Sequence, residues 1–196
     1  MIAKLSHIIA DFFVQKKVVS EEQREIYEYG FELSISSIIG ILIILTIGLI
    51  SRRFWESIVF YIVFCFTRLF TGGYHAPNHI FCKIIFGGVL LAVLAADWFL
   101  KGIENYYWFV LHLYSLVIVC QFAPIESPNK ELTEQQKIRC KVISIIAMAV
   151  WLAVMFLFRY LSSELDHIVA LTLFCVSNLM LLGKYYERRS KNEKGC

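Results

Sequence analysis

Charged residues are scarce in this sequence, and that scarcity excludes a soluble domain. Only 18% of the 196 residues are charged, whereas 58% are hydrophobic, and the mean hydropathy is +0.63. A soluble domain of this length would need far more polar surface. Several apolar runs are also long enough to cross a bilayer. The composition therefore predicts an all-α, polytopic integral membrane protein.

The sequence also lacks the cysteine and histidine patterns of disulfide-rich and zinc proteins. Its six cysteines include no CxxC pair, no HExxH motif is present, and there is no internal repeat or low-complexity tract. A free cysteine in a membrane helix usually packs as a small apolar residue. We therefore expect at most one or two of the six to be chemically active. The six are Cys65, Cys82, Cys120, Cys140, Cys175 and Cys196.

No continuous apolar core opens the chain, so we expect no cleavable signal peptide. Apolar residues instead recur at spacings of three and four, which predicts an amphipathic helix on the membrane surface. A second short helix is predicted to begin at Ser20, where Ser20 and Gln23 fit a capping box. The alternative is an ordinary cytosolic tail. The apolar residues of the predicted amphipathic segment are Ile2, Leu5, Ile9 and Phe12.

Six hydrophobic runs follow, and we interpret each as a transmembrane helix. The second run is short enough to be tilted or partly buried. One membrane-embedded domain is predicted over the whole chain, 1–196. Its parts are interfacial helices in 1–32, a helix bundle in 33–183 and a basic tail in 184–196. The six runs are about Leu33–Ile50, Phe54–Phe66, Ile80–Leu100, Tyr106–Ala123, Val142–Leu161 and Ile168–Gly183.

The basic residues predict the orientation of these spans. With six spans, both termini and the 67–79 and 124–141 connections lie on one side, which carries fourteen lysines and arginines against four on the other. An excess of this kind marks the cytoplasmic side. We therefore expect a multi-pass protein of the cell membrane with both termini in the cytoplasm. The four residues on the opposite side are Arg52, Arg53, Lys101 and Arg159.

One cytoplasmic connection, "RLFTGGYHAPNHIFC", concentrates residues that can do chemistry. His75 and Cys82 are seven residues apart, which on a continuous helix is about 10 Å along the axis and too far for a hydrogen bond. Pro77 favours a helix start instead, so the third span is predicted to begin near it. Gly72 and Gly73 would then let the segment with His75 fold back.

Under this interpretation Cys82 lies in the second turn of a helix. The helix dipole, His75 and Arg68 would favour its thiolate, as in a cysteine nucleophile paired with a general base. A metal site formed by His75, His79 and Cys82 is an alternative, although no fourth ligand is evident. His79 is interpreted as an interfacial histidine, and Arg68 could instead set the topology or bind phospholipid head groups.

Polar residues in and near the spans leave a second class open, a transporter or an exporter of a small peptide without a catalytic cysteine. Intramembrane charge is costly, so such residues can mark an ion path. Three of them, Glu56, Asp97 and Glu104, lie near span ends, where we expect them to reach water. The other two are Lys83 and His112. A purely structural membrane protein is the third class.

Three motifs together resemble a known family. The connection quoted above, with Cys82 seven residues after His75, is similar to the signature of the AgrB family of accessory gene regulator membrane peptidases. "PIESPNKEL" in the 124–141 connection and "YEYGFEL" before the first span resemble two further landmarks of that family, in its order and spacing. The resemblance implies an enzyme that removes the acidic C-terminal tail from the precursor of a cyclic autoinducing peptide in a Gram-positive bacterium.

The resemblance also implies roles for particular residues. Cys82 would be the catalytic cysteine and His75 the catalytic histidine. Arg68 and Gly73 match family positions required for activity, and Gly72 stands beside them as a supporting residue. The activity expected is therefore that of a cysteine endopeptidase.

A substrate and a reaction follow from the same resemblance. An AgrD-like propeptide would form a thioester with Cys82, and an internal Cys or Ser of the propeptide would close a thiolactone or lactone ring. We expect the acidic tail to meet basic residues of the second connection. Membrane lipids are further partners and a homodimer is compatible with the family, whereas no cofactor and no nucleic acid are expected. The basic residues are Lys130, which matches the family, and Lys137, Arg139 and Lys141.

Overall fold

A computed structural model provides the structure of the protein. It describes residues 2–16, 18–72, 79–100, 102–125, 133–161 and 163–194. Within these ranges the side chains of residues 2–3, 79–82 and 186–194 are not described. Three of the predicted site residues, Gly73, His75 and Lys130, lie outside the described residues.

The described residues form seven α-helices and no β-strand, which confirms the predicted all-α class. A short 3-10 turn, Glu21–Gln23, precedes the second helix. One parallel β-bridge joins Gly72 to Ile125. The helices are α1 (Ile2–Gln15), α2 (Arg24–Ile50), α3 (Phe54–Thr71), α4 (His79–Phe99), α5 (Asn105–Phe122), α6 (Glu134–Tyr160) and α7 (Leu165–Lys194).

Each of the six predicted hydrophobic runs lies within one of the helices α2 to α7 and extends past the end of its helix by one residue at most. By length and composition, four helices among the described residues can cross a membrane, namely α2 with its 3-10 turn, α3, α6 and α7. The third and fourth predicted spans are α4 and α5. A helical membrane protein is therefore supported, while the count of six spans stays a prediction.

Besides the capping box of Ser20 and Gln23, the sequence predicts a second one in the 124–141 connection, where Thr133 and Gln136 would begin a short helix. Thr133 caps α6 as predicted, because its Oγ1 accepts from the Gln136 N–H at 3.4 Å and Gln136 Oε1 accepts from the Thr133 N–H at 3.0 Å. The helix that it starts is not a separate short one but the 27-residue α6. Ser20 does precede a helical turn, but its side chain makes no capping hydrogen bond to any described residue. The capping box predicted at Ser20 was wrong.

The chain divides into two compact units, residues 1–46 and 47–196. In the first unit, ion pairs hold α1 to the beginning of α2. Arg24 Nη2 lies 2.6 Å from Asp11 Oδ1, and His7 Nδ1 lies 3.1 Å from Glu28 Oε2. The single membrane-embedded domain expected from the sequence stays a prediction.

One side of α1 is apolar and exposed. Leu5, Ile8 and Phe12 are exposed, Ile9 is half-buried, and Ala10 is buried. A helix on a membrane surface presents an apolar stripe of this kind to the lipid. The exposed positions 5, 8 and 12 repeat at helical spacing, so the predicted amphipathic segment matches the described helix.

In the second unit α7 is the central helix. It contacts α3, α4, α5 and α6, and its residues 166–173 are all buried. Aromatic rings fill the contact between α3 and α4, where the Phe86 ring centroid lies 5.7 Å from that of Phe60 and 5.1 Å from that of Phe64. The core of this unit is therefore a bundle built around its last helix.

The bundle has two chemically different ends. Ion pairs join the beginning of α3 to the end of α4 through Arg53 and Asp97, and the end of α6 to the beginning of α7 through Arg159 and Asp166. We call this the ionic end. Since these helices alternate in direction, the end of α3 and the beginning of α4 lie at the opposite end, which we call the loop end.

The second predicted span ended at Phe66, but α3 continues to Thr71. Thr67 and Thr71 are polar, yet both are buried. The indole N–H of Trp151 on α6 donates to Thr67 Oγ1 at 2.9 Å. This hydrogen bond between helices allows a polar side chain to continue the span beyond its apolar run.

Candidate active site

The loop end is organised around Gly72, which follows the last residue of α3. Its backbone has φ 68° and ψ −148°, a combination that is essentially restricted to glycine. A Cβ at this position would also overlap the carbonyl oxygen of Ile125. The Gly72 N–H donates to the Arg68 carbonyl at 3.1 Å. Gly72 therefore closes the helix and allows a second chain segment to approach it.

The second segment is the beginning of the α5–α6 connection, where the structure describes residues 123–125. The Ile125 N–H donates to the Thr71 carbonyl at 2.9 Å, and Ala123 and Ile125 are buried. Residues 73–78 and 126–132 follow directly after Gly72 and Ile125. The two motif-bearing segments therefore leave the bundle from adjacent positions.

Cys82 lies at the same end of the bundle, since α4 begins at His79. Its backbone lies in the described part of α4, and because residues 73–78 are outside the described residues, its place in the second turn of a helix that begins near Pro77 stays a prediction. Phe86 packs against the rings of Phe60 and Phe64 on α3. The beginning of α4 therefore packs against α3 through Phe86.

Arg68 lies in the last turn of α3 and is half-buried. Its guanidinium carbon lies 5.7 Å from the ring centroid of Phe64, a cation–π distance. The predicted catalytic pair needs His75, which is outside the described residues, so the pairing of His75 with Cys82 stays a prediction. Arg68 is nevertheless held at the end of the bundle from which that segment departs.

Basic residues accumulate at the loop end. Lys137 lies near the beginning of α6, where its Nζ pairs with Glu134 Oε1 at 2.9 Å. Arg139 and Lys141 are exposed on the same helix. Lys184 of α7 is a further basic residue here, with its Nζ 3.9 Å from the ring centroid of Phe122. The sequence analysis counted Lys184 only among the basic residues of the tail and did not predict a place for it at this end.

The metal alternative is not decided by the structure, because it depends on His75 and on the side chains of His79 and Cys82. Among the residues that the structure describes, no group of three or more histidine, cysteine, aspartate or glutamate side chains is arranged to hold a metal ion. The three proposed metal ligands, His75, His79 and Cys82, are not among the side chains that the structure describes. The metal site stays a prediction.

The ionic end holds residues that sequence reasoning did not bring together. Asp97 was expected to reach water, but it is only 1% exposed and pairs with Arg53. Arg53 Nε also donates to Glu56 at 3.1 Å. Burial lowers the pKa of Arg53, but the hydrogen bonds to Asp97 and Glu56 raise it above its ordinary value, so the guanidinium stays charged. Asp97 and Glu56 are thus ion-pair partners, which weakens the predicted ion path.

The same cluster continues onto α7 through His167. Arg159 Nη2 lies 2.6 Å from Asp166 Oδ2 and 3.2 Å from His167 Nε2. Since a guanidinium only donates, Nε2 accepts and the ring proton is assigned to Nδ1. His167 Nδ1 faces Asp97 Oδ1 at 3.4 Å, and the imidazole stacks on Trp108 at 4.3 Å. These contacts join α4, α5, α6 and α7.

The fold defines a polytopic helical membrane protein in which two motif-bearing segments begin at one end of the bundle. The family model of Accessory gene regulator B matches residues 6–182, so the chain belongs to the AgrB family. Membership associates it with the accessory gene regulator system of quorum sensing and with an AgrD-like propeptide.

Relatives of known name support the same conclusion. The chain is similar to AgrB-like protein 2 of Clostridium perfringens strain 13, with 26% identity over 161 residues that cover 78% of this chain and 74% of the relative. An AgrB-like protein of Clostridium perfringens strain SM101 matches with the same identity and coverage. No solved structure matches the chain.

Proposed function

We propose that the chain is a membrane cysteine endopeptidase that removes the C-terminal tail of an AgrD-like propeptide. In this proposal Cys82 is the nucleophile and His75 the general base. When the tail leaves, the remaining peptide is bound to Cys82 as a thioester. This thioester then supports closure of a thiolactone or lactone autoinducing peptide. Family membership supports the substrate class, and the residue pattern supports the chemistry.

The observation that carries the proposal is the junction between Gly72 and Ile125. The Ile125 N–H bonds to the carbonyl of Thr71 at 2.9 Å, directly before residues 73–78 and 126–132. Cys82 lies near the beginning of α4, at the same end of the bundle. The segments with His75 and Lys130 begin at one junction and Cys82 lies at the same end, which supports a shared site.

The first chemical step transfers a proton from the Cys82 thiol to His75. The beginning of a helix favours a thiolate, which supports Cys82 as the nucleophile. Its sulfur then bonds to a peptide carbonyl carbon of the propeptide, and the C–N bond breaks. The tail leaves as an amine after His75 returns the proton. A thioester between Cys82 and the remaining peptide results.

An internal Cys or Ser of the propeptide, whose proton passes to His75, then attacks the thioester carbonyl. A new thioester or ester closes the ring, and the Cys82 thiolate is released for the next cycle. The exchange of one thioester for another is nearly balanced in energy, so competing hydrolysis must be suppressed. A site flanked by apolar helices would limit access of water to the thioester.

The tetrahedral intermediate needs a donor for its oxyanion. The Gly72 N–H is already bonded to the Arg68 carbonyl at 3.1 Å, so we exclude it as that donor. The remaining proposed donors are the Arg68 guanidinium and the Gly73 N–H. Gly72 is therefore proposed to support the site through its backbone shape alone.

The basic residues of the loop end are proposed to bind the acidic tail of the propeptide. Arg139 and Lys141 are exposed on α6, whereas Lys137 is partly neutralised by Glu134. Reversing the charge at Lys130, Lys137, Arg139 and Lys141 should raise the propeptide concentration needed for cleavage without abolishing thioester formation. Steady-state cleavage assays would measure this. Unchanged concentration dependence would rule out the tail contact.

The catalytic assignment is tested by Cys82→Ser and His75→Ala. Each should abolish propeptide cleavage while leaving expression and membrane insertion intact. Mass spectrometry of the wild-type chain incubated with propeptide should trap the thioester on Cys82. Cys140→Ser is the matched control, since Cys140 is half-buried on α6 and should retain activity. Normal cleavage by Cys82→Ser would rule out Cys82 as the nucleophile, and peptide export without any cleavage by the wild-type chain would favour an exporter.

A further inference from the structure

Arg53 connects two helices at the ionic end with a forked set of hydrogen bonds. It precedes α3, and its Nη1 donates to the Leu94 carbonyl of α4 at 2.8 Å. Its Nη2 donates to the carboxylate of Asp97, also on α4. A planar guanidinium can satisfy both acceptors at once, which a lysine ammonium cannot reproduce. The fork therefore fixes the last turns of α4 against the beginning of α3.

Asp97 is in turn fixed from its other side. Its Oδ1 lies 3.4 Å from His167 Nδ1 on α7, and the Asp97 side chain is 2% exposed. A buried carboxylate that loses its cationic partner, here Arg53, is strongly destabilised, so this ion pair resists sliding of α4 along α3. The end of α4 thus has one preferred position relative to α3 and α7.

Both helices joined by this fork lead to the proposed catalytic residues. α3 runs from Arg53 to Gly72, directly before the segment with His75. On α4, Cys82 lies fifteen residues before Asp97, which is about 22 Å along the axis and about 60° around it. A rigid helix transmits its position at one end to the other end. The fork and the backbone of Cys82 therefore lie at opposite ends of the same helix pair.

We propose that Arg53 and Asp97 are positioning residues that set the axial register of α3 and α4 and thereby place Cys82 for attack. This role rests on the proposed function. A shift of one residue along a helix moves Cys82 by about 1.5 Å. A misplacement of about 1 Å can cost about 100-fold in rate, because the nucleophile must approach the carbonyl carbon in a narrow range of geometries.

The experiment is a single-turnover acylation assay with full-length chain and propeptide. Asp97→Asn keeps the shape of the side chain and removes its charge, and Arg53→Lys keeps the charge and removes the fork. For each variant the rate constant and the amplitude of thioester formation are measured at saturating propeptide. We expect the rate constant to fall by about 10- to 100-fold at unchanged amplitude and unchanged propeptide affinity.

Two matched controls lie in the same cluster. Glu56→Gln removes a partner of Arg53 on its own helix but leaves the fork to α4, so its acylation rate should equal that of the wild type. Arg159→Gln breaks the 2.6 Å ion pair between α6 and α7 without touching the fork. It should lower the melting temperature while the acylation rate constant is retained.

The outcomes separate positioning from stability and from the chemistry itself. A lower amplitude at a normal rate constant would mean that Asp97 only keeps the chain folded, which overturns the positioning role. Unchanged kinetics, or loss of folded protein in both variants on gel filtration in detergent, would overturn it as well. A wild-type chain that forms no thioester would refute the proposed function and this role together.

Discussion

Gly72 shows how one backbone conformation can connect two motifs. Its φ of 68° and ψ of −148° end α3, and its missing Cβ leaves room for the carbonyl of Ile125. A residue with a side chain would face both the strained backbone and that close contact. The glycine is therefore required by the geometry of the described residues and does not depend on a catalytic role.

Gly72→Ala should destabilise the loop end and abolish propeptide cleavage. The strained backbone alone costs about 1–3 kcal/mol, and the overlap with Ile125 adds to it because the carbonyl belongs to a buried residue. Thermal unfolding in detergent would measure the stability change, and a cleavage assay would measure the activity. A fully active and equally stable variant would contradict the structure at this residue.

Gly88→Ala is the matched control for that substitution. Gly88 is exposed on α4, and a Cβ built there meets no described atom within 4 Å. Replacing a helical glycine with alanine stabilises by about 0.5–1 kcal/mol in a soluble helix. We expect unchanged cleavage and a melting temperature that is equal or slightly higher.

At the scale of the helices, two helix N-termini with similar sequences differ in their capping hydrogen bonds. Ser20 and Thr133 are each followed three residues later by glutamine, but only Thr133 makes the capping hydrogen bonds among the described residues. A capping side chain satisfies a backbone N–H that the helix leaves unbonded. The beginning of α6 should therefore depend on its cap.

Thr133→Ala should lower the free energy of unfolding by about 1 kcal/mol, the usual worth of such a cap. Ser20→Ala should leave it unchanged, because that hydroxyl makes no capping bond to a described residue. Thermal unfolding of the two variants in the same detergent provides the comparison. An equal loss of stability in the two variants would contradict the capping role assigned to Thr133 alone.

The helices themselves could be predicted from the sequence, because a segment in the bilayer needs apolar side chains and satisfies its backbone hydrogen bonds as a helix. Their ends could not. The second run stopped at Phe66 since a threonine and an arginine follow, but Thr67 is buried and accepts from Trp151 at 2.9 Å. Polar residues extend a membrane helix where a neighbouring helix supplies the partner, and that partner lies 84 residues away in the chain.

Distance along the chain also explains why the sequence did not predict the polar cluster at the ionic end. The loop-end motif is local, so its spacing and its family resemblance are visible in one stretch of sequence. Asp97 was expected in water because its partners are distant. Arg53 lies 44 residues before it, and His167 is on another helix. No local pattern indicates that three such residues meet, whereas the bundle brings them together.

For the whole molecule, the two ends of the bundle differ in charge. Exposed basic residues accumulate at the loop end, whereas the ionic end holds arginines that are paired with carboxylates. An excess of exposed basic residues favours the cytoplasm. We therefore infer that the loop end, with both predicted cytoplasmic connections, faces the cytoplasm.

Single-cysteine labelling of intact cells tests this orientation. In a chain whose native cysteines are replaced by serine, Glu104→Cys places a thiol at the ionic end and Arg139→Cys places one at the loop end; both positions are exposed. A membrane-impermeant maleimide should label Cys at 104 from outside. It should label Cys at 139 only after permeabilisation. The reverse pattern would invert the topology.

The central position of α7 also has a consequence for biogenesis. Residues 166–173 of α7 are all buried in the bundle, yet α7 is synthesised after the four helices that surround it. Until α7 enters the membrane, Asp97 has Arg53 as a partner but not His167. In the predicted six-span topology, the earlier helices therefore form an incomplete assembly until α7 inserts and completes the bundle.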